Sequence, residues 1–181
     1  NPVNMNDLAR GIRGFYKDGK HQYYADLDFS NIYFKQFPRL HKLLGSSANK
    51  VSQLNLSGNF SSSIENTFPE AYSTYANFMQ VLYTKDNRIT RLNLDSNGID
   101  SQGAIVLASL LQHNNNNIAR LNLRDNLIGN AGVYALAEAI LSPNCKLNEI
   151  DLSANTFNSD ARAVMKSAVS KVTSRKIKVK Y

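Results

Sequence analysis

The sequence lacks the features that mark secreted, membrane-spanning and cofactor-dependent proteins. It contains one cysteine, Cys145, so no disulfide can form within the chain. No apolar run is long enough to cross a bilayer, and no N-terminal stretch resembles a signal peptide. The lack of an intrachain disulfide favours a reducing compartment. We therefore expect a cytoplasmic protein without a membrane partner.

Motifs for catalysis and metal binding are missing as well. His21, His41 and His113 are scattered, and none is paired in sequence with a nucleophile or a carboxylate in a recognisable arrangement. The chain has no glycine-rich phosphate loop and no cluster of histidine and cysteine with metal-ligand spacing. We expect no enzyme activity, no cofactor and no metal site.

What the sequence contains instead is a six-residue motif that recurs. The first copy is Leu54-Asn55-Leu56-Ser57-Gly58-Asn59, and the later copies begin at Leu92, Leu121 and Ile150. The starts lie 92−54 = 38, 121−92 = 29 and 150−121 = 29 residues apart. Self-similarity at such a period predicts one supersecondary unit that stacks on copies of itself.

Each motif predicts a short β-strand. Its first and third residues are aliphatic and point to the same side of a strand, while the polar residues beside them point to water. The third positions should be buried neighbours, and they are Leu56, Leu94, Leu123 and Leu152. Weaker copies at Leu27 and at Ile177 extend the array, since 54−27 = 27 and 177−150 = 27. We therefore expect about six parallel strands.

Helical patterns follow the motifs. Small and aliphatic residues recur on one face of Ser101–His113, Asn130–Leu141 and Ser159–Val172, which suits helices that pack on a layer of strands. Gly103 and Gly132 stand at equal distances after two of the motifs. We interpret them as places where the start of a helix closely approaches its neighbour.

The asparagine that ends each motif has a structural explanation. Stacked turns leave backbone groups that need partners, and a buried amide carries both donors and an acceptor. We predict a ladder of hydrogen-bonded amides along the turns, formed by Asn59, Asn97, Asn126 and Asn155.

These residues together resemble a known family. Asn126–Leu141 followed by Leu147–Asn155 looks like a leucine-rich repeat of the ribonuclease-inhibitor type, and Ser142–Leu147 is similar to repeats of cytosolic NOD-like receptors. The resemblance is close over Ile89–Phe157 and looser on both sides. It implies an α/β solenoid of horseshoe form, with about six parallel strands on the concave face and helices on the convex face. Extracellular members often carry disulfide-bonded caps, which one cysteine does not allow.

We predict a single leucine-rich repeat domain over residues 1–181. It comprises an N-terminal helical cap over 1–22, repeats over 23–157, and a final helix with a capping strand over 158–181. The second unit is longer than its successors by 38−29 = 9 residues, and the excess falls on Phe60–Phe68, ahead of a helix that opens at Pro69. This insertion is either a recognition protrusion or a tolerated lengthening of a loop.

The polar strand residues form the candidate partner-binding surface on the concave face. They are Asp28, Gln53, Asn55, Arg91, Asn93, Asp95, Arg120, Asn122, Arg124, Glu149 and Asp151. Arg91, Arg120 and Arg124 form a basic group in mid-array, which favours an electrostatically steered protein contact. Reversing these charges should then abolish partner capture. The alternative is that the residues are ordinary solvated surface.

Positive charge is concentrated at the C-terminal end. The formal net charge is +7, and the last sixteen positions hold Lys166, Lys171, Arg175, Lys176, Lys178 and Lys180. They indicate either a docking patch for an acidic partner or nucleic acid, or an edge strand that lysines protect from pairing. Because no aromatic residues interleave with the lysines, we expect no nucleic-acid partner. The protected edge favours a monomer.

Function follows from the resemblance rather than from any single residue. It implies a non-catalytic protein-protein interaction module that binds a partner through the polar concave face. The abundance of asparagine suits an AT-rich genome, such as that of an amoeba or of an intracellular bacterium of the Legionella kind. We expect a secreted bacterial effector that acts on a host protein in the host cytoplasm. The alternatives are a ligand-sensing repeat domain of a eukaryotic cytosolic receptor and a GTPase-activating or GTPase-binding regulator, since a Ran GTPase-activating protein uses this repeat type.

Overall fold

A computed structural model describes residues 24–26, 41–42, 44–47, 51–58, 75–76 and 78–181, with the backbone alone for 24–26. The predicted helical cap over 1–22 and the insertion Phe60–Phe68 lie outside these residues, as do Asp28 and Asn59.

The described strands form one parallel sheet in chain order. The strands are β1 (Tyr24–Asp26), β2 (Gln53–Asn55), β3 (Arg91–Asn93), β4 (Arg120–Asn122), β5 (Glu149–Asp151) and β6 (Lys178–Lys180). Each strand pairs only with its neighbours in sequence, as stacked copies of one unit require. The predicted α/β solenoid is confirmed.

The strand register follows the motif in the middle of the sheet and departs from the prediction at both ends. Ala25 pairs with Leu54, and Val179 pairs with Ile150. The prediction had placed Leu27 and Ile177 there, and it was wrong by two residues each time. A shift of two keeps the same side chains on the same side, so the local pattern does not reveal it.

Within residues 78–181, three α-helices of 11 to 13 residues lie behind the sheet, and their bounds agree with the predicted ones to within two residues. They are α1 (Ser101–Leu111), α2 (Asn130–Ile140) and α3 (Ser159–Lys171), and each packs on the next. Asp100 caps α1 by accepting from the Gly103 N–H at 3.0 Å, and Asn158 caps α3. The helix predicted to open at Pro69 is described only near its end, where helical residues 75–76 and 78–79 run into a 3₁₀ turn at Gln80–Tyr83.

The core lies between the sheet and the helices. The predicted neighbours Leu56, Leu94, Leu123 and Leu152 all have 0% exposure, which confirms that they are buried. Apolar side chains of the helices cover them from the other side, including Leu107 and Leu136. None of the helices that the structure describes combines the length and the apolar character needed to span a bilayer.

Gly132 confirms the predicted close approach at a helix start. A Cβ added there would lie 2.7 Å from Ile128 Cγ2, 3.0 Å from Ala104 Cβ and 3.1 Å from Ser101 Cα. Two of these atoms belong to α1, so the absence of a side chain allows α2 to pack tightly against it. At Gly103 the closest atom is Ile99 Cγ2, at 2.7 Å, within the same unit.

Candidate functional site: the groove on the strand face

The polar side of the sheet lines one open groove. The polar residues that line it are Gln53, Asn55, Arg91, Asn93, Arg120, Asn122, Glu149, Asp151 and Lys180. The first eight of these are predicted site residues, and the structure brings them together. Lys180 was not in the predicted set, which contained no residue of the last strand. Asp26 takes the row that was predicted for Asp28.

The groove has two adjacent arginines at its centre. Arg91 and Arg120 are register partners on β3 and β4, and Arg91 is half-buried while Arg120 is exposed. Among the described residues, neither guanidinium has an ion pair or a hydrogen bond. Like charges directly opposite each other on neighbouring strands destabilise the pairing, so this arrangement has no evident structural benefit.

The C-terminal end of the groove is neutralised by an ion pair. Glu149 is the register partner of Arg120, but its Oε1 lies 3.4 Å from the Nζ of Lys180. Lys180 reaches Glu149 from β6, where it is the register partner of Asp151. The nearest carboxylate in the row of arginines is therefore engaged elsewhere.

The second row of the groove shapes the turns that follow the strands. Asn55, Asn93, Asn122 and Asp151 each accept, through Oδ1, the backbone N–H two residues later, at 3.1, 2.9, 2.9 and 3.0 Å. This is the turn that Asn and Asp side chains characteristically form. The prediction treated these residues as contact residues only, although an Asn or Asp at the end of every strand was itself a signal for this turn.

Asp95 and Arg124 lie in the turns, beyond the residues that line the groove. The residue after each has an uncommon backbone conformation, since φ is 57° at Ser96 and 53° at Asp125. Ala154 repeats it with φ 55°. Ser96 Oγ donates to Asp125 Oδ2 at 2.9 Å, which ties two successive turns together.

The motif asparagines hold these turns from the inside. Asn126 Oδ1 accepts from the N–H groups of Asn97 and Ile99 at 3.0 and 2.9 Å, and its Nδ2 donates to the carbonyl of Leu94 at 3.1 Å. Asn97 and Asn155 donate in the same way to carbonyls of their preceding units, Leu56 and Leu123. Three of the four predicted ladder residues thus bridge successive units, and the fourth, Asn59, is not described.

A second set of buried amides follows the helices, and sequence reasoning missed it. Asn116 has 0% exposure, donates to Leu111 O at 3.2 Å and accepts from Ile118 N at 2.9 Å. Asn87 makes the same two bonds one unit earlier. The prediction treated Asn114–Asn117 as a polar loop, although the spacing 116−87 = 29 was a signal that Asn116 repeats Asn87.

Cys145 occupies this position in the next unit, since 145−116 = 29. A cysteine at this position does not supply the amide donor that Asn116 supplies. Arg175 supplies it from the following unit, donating from Nη2 to Ile140 O at 3.2 Å and from Nε to Leu147 O at 2.7 Å. Burial raises the pKa of the Cys145 thiol, while the Leu147 N–H and the Arg175 guanidinium act in the opposite direction. A buried thiol with a raised pKa is a structural rather than a reactive cysteine.

The described residues contain no group of three or more His, Cys, Asp or Glu side chains placed to hold a metal ion. His113 has a structural setting, because its Nδ1 accepts from Asn115 N at 3.1 Å and its ring meets the edge of Tyr83. The groove therefore presents hydrogen-bond donors and charge on a rigid sheet, which is suited to recognition.

Comparison with known proteins agrees with this architecture. A family model described as a leucine-rich repeat matches residues 87–108 and 114–137. The solved structure of Leiomodin-1 Actin-Binding Site 2 superposes with a TM-score of 0.62 at 15% sequence identity, over 80% of this chain and 79% of that chain. No curated protein sequence matches the chain. The matched segments and the likeness in fold agree with an α/β solenoid that contains leucine-rich repeats, and the ribonuclease-inhibitor subtype stays a prediction.

Proposed function

We propose that this solenoid is a non-catalytic protein-interaction module that binds a partner protein in the groove on the strand face. The single observation that carries the proposal is that side chains from β2 to β6 converge on one open groove whose central arginines have no partner among the described residues. The strands that carry these side chains are hydrogen-bonded into one sheet. The surface is therefore pre-organised, and little conformational entropy is lost when a partner binds.

The likeness to an actin-binding site supports the general class of function. Repeat solenoids of this fold present extended surfaces on one side, and the structural neighbour is named for a protein that it binds. Purified monomeric actin is therefore the first defined probe for this chain.

We further propose that the module works as a bacterial effector that meets its partner in the cytoplasm of a host cell. The support is the cysteine content, since one buried thiol suits a reducing compartment. A GTP-hydrolysis assay with a panel of small GTPases tests the alternative of a GTPase regulator, and acceleration of hydrolysis would replace the effector proposal.

Site-specific photocrosslinking tests the position of the binding surface. A photoreactive amino acid at position 124, beside the groove, should capture a protein from a eukaryotic lysate, and mass spectrometry should identify the same protein in repeated experiments. The matched control carries the same photoreactive group in place of Glu138, which is exposed on α2 behind the sheet. Capture of one protein at position 138 and none at position 124 would place the contact on the helices and reject the proposal.

A further inference from the structure

We infer that the groove receives an acidic segment of the partner protein, that two neighbouring carboxylates of this segment bind Arg91 and Arg120, and that Lys180 keeps Arg120 available by holding Glu149. This inference rests on the proposed function, because it names the chemistry of the partner that the groove accepts.

The centre of the groove is a cluster of donors. Arg91 and Arg120 stand side by side in one row, and Asn93 and Asn122 stand side by side in the next row. The Oδ1 atoms of both asparagines are occupied by turn N–H groups, so the amide Nδ2 atoms are the groups left for the groove. Four side chains on two strands therefore offer N–H donors to whatever binds there, and the acceptor atoms among them, the two Oδ1 atoms, each already accept one turn N–H.

Carboxylates match this cluster. An ionised carboxylate is an acceptor only, and the fork of a guanidinium donates to it in bidentate geometry. The two arginines belong to strands about 4.8 Å apart, a separation that neighbouring carboxylates of one segment can span. Binding would also remove the repulsion between the two positive charges, which the protein alone leaves uncompensated.

The charges on β5 and β6 limit where the acidic residues of the partner bind. The charged residues that line the groove there are Glu149, Asp151 and Lys180, so this end offers a further carboxylate no excess of positive charge. The acidic residues of the partner should therefore lie over β3 and β4.

Lys180 acts through Glu149 rather than on the partner. Glu149 is the register partner of Arg120, and a carboxylate in that place would compete for the guanidinium. The ion pair at 3.4 Å between Lys180 Nζ and Glu149 Oε1 removes this competitor. Lys180 is thus a positioning residue, and its loss should weaken binding without the loss of any contact to the partner.

Binding of a fluorescein-labelled hexaglutamate peptide, followed by fluorescence anisotropy at low salt, tests the donor cluster. The double variant Arg91→Gln with Arg120→Gln should weaken binding by about tenfold or more. The matched control is Lys171→Gln with Lys176→Gln, which removes the same two charges from exposed positions outside the groove and should change the affinity by less than about twofold. Equal losses in the two double variants would mean that the peptide follows net charge, and the inference would be wrong.

A double-mutant cycle tests the role of Lys180. Lys180→Met should weaken hexaglutamate binding by about threefold to fivefold, whereas Lys180→Arg, which keeps the charge, should bind like the parent protein. In the Glu149→Gln background, Lys180→Met should have no further effect on binding. Thermal unfolding of each variant separates a binding effect from a loss of fold. If Lys180→Met weakens binding equally in both backgrounds, Lys180 touches the peptide directly and the positioning role is refuted.

Failures of the inference and of the proposed function are distinguishable. If position 124 captures a protein while hexaglutamate does not bind, the groove recognises a partner of another chemistry and only the inference fails. If hexaglutamate binds through the two arginines while position 124 captures no protein, the acidic specificity stands and the proposed function fails.

Discussion

The turns after the strands and the loops after the helices both contain buried backbone groups that need hydrogen-bond partners, but the two regions obtain these partners differently. In the turns, Asn97, Asn126 and Asn155 repeat one set of amide bonds to the preceding unit. In the loops, the Asn116 amide donates to the Leu111 carbonyl, whereas at the position of Cys145 the donor comes from Arg175 of the next unit. The backbone fixes which groups need partners, but it does not fix which residue supplies them.

The turn asparagine is the more deeply engaged of the two, so Asn126→Ala should have the largest effect. It leaves the Leu94 carbonyl and two N–H groups without their amide partner, while the Leu123 carbonyl keeps the Asn155 amide, and we expect a loss of about 3 kcal/mol in the free energy of unfolding. Urea denaturation measures it. The control is Asn148→Ala, an exposed asparagine, and an equal loss there would contradict the ladder.

The loop asparagine should follow with a smaller effect. Asn116→Ala removes one donor and one acceptor from buried surroundings, and we expect a loss of about 2 kcal/mol because Leu111 O and Ile118 N lose their partner. Asn114→Ala changes an exposed residue of the same run and should stay within about 0.5 kcal/mol of the parent protein. If urea denaturation shows no difference between the two variants, the loop amide is dispensable.

Because Arg175 supplies the donor that Cys145 lacks, substitutions at these two positions should have coupled rather than additive effects on stability. Arg175→Ala should cost about 1.5 kcal/mol in the parent protein, because Ile140 O and Leu147 O lose a charged donor. In a Cys145→Asn background the same change should cost about 1 kcal/mol less, since an amide at position 145 supplies the donor as Asn116 does. Additive effects in this cycle would show that Arg175 does not replace the missing amide.

The backbone conformation of the turns predicts the smallest effect, and it is a gain. Ala154 has φ 55°, where a residue with a Cβ is strained, so Ala154→Gly should stabilise the protein by about 0.5 to 1 kcal/mol. The control is Ala163→Gly within α3, which should destabilise by about the same amount because glycine is unfavourable in a helix. Melting temperatures that fall in both variants would contradict the strain.

The sequence predicts the repeating part of the fold well because one motif encodes both the strand and its register. The register pairs of Leu54, Leu92, Leu121 and Ile150 all come from that motif. At the edges, the larger aliphatics Leu27 and Ile177 were favoured over Ala25 and Val179. Strict adherence to the period would have given the right register, since 54−25 = 29 and 179−150 = 29.

Most residues of the candidate site were predictable, although Asp95 and Arg124 lie beyond the groove, but the contacts among them were not. The alternation of the strands placed Arg91 and Arg120 in one row, because side chains on one face repeat every second residue. The ion pair between Glu149 and Lys180 was not predictable. The predicted final strand was shifted by two residues, so it placed Lys178 rather than Lys180 opposite Asp151. Composition does not say which asparagine of the run faces the core, but the spacing of 29 residues from Asn87 would have singled out Asn116.

Successive units meet through identical backbone bonds. Leu94 N donates to Asn122 O and Leu123 N donates to Asp151 O, both at 2.9 Å. A unit of this kind therefore presents matching upper and lower surfaces, and a duplicated stretch of 29 codons would insert a copy that fits both neighbours, since 121−92 = 29. Each such duplication would widen the groove by one strand, about 4.8 Å. Duplication of existing units can thus lengthen the binding surface for a larger partner without new sequence.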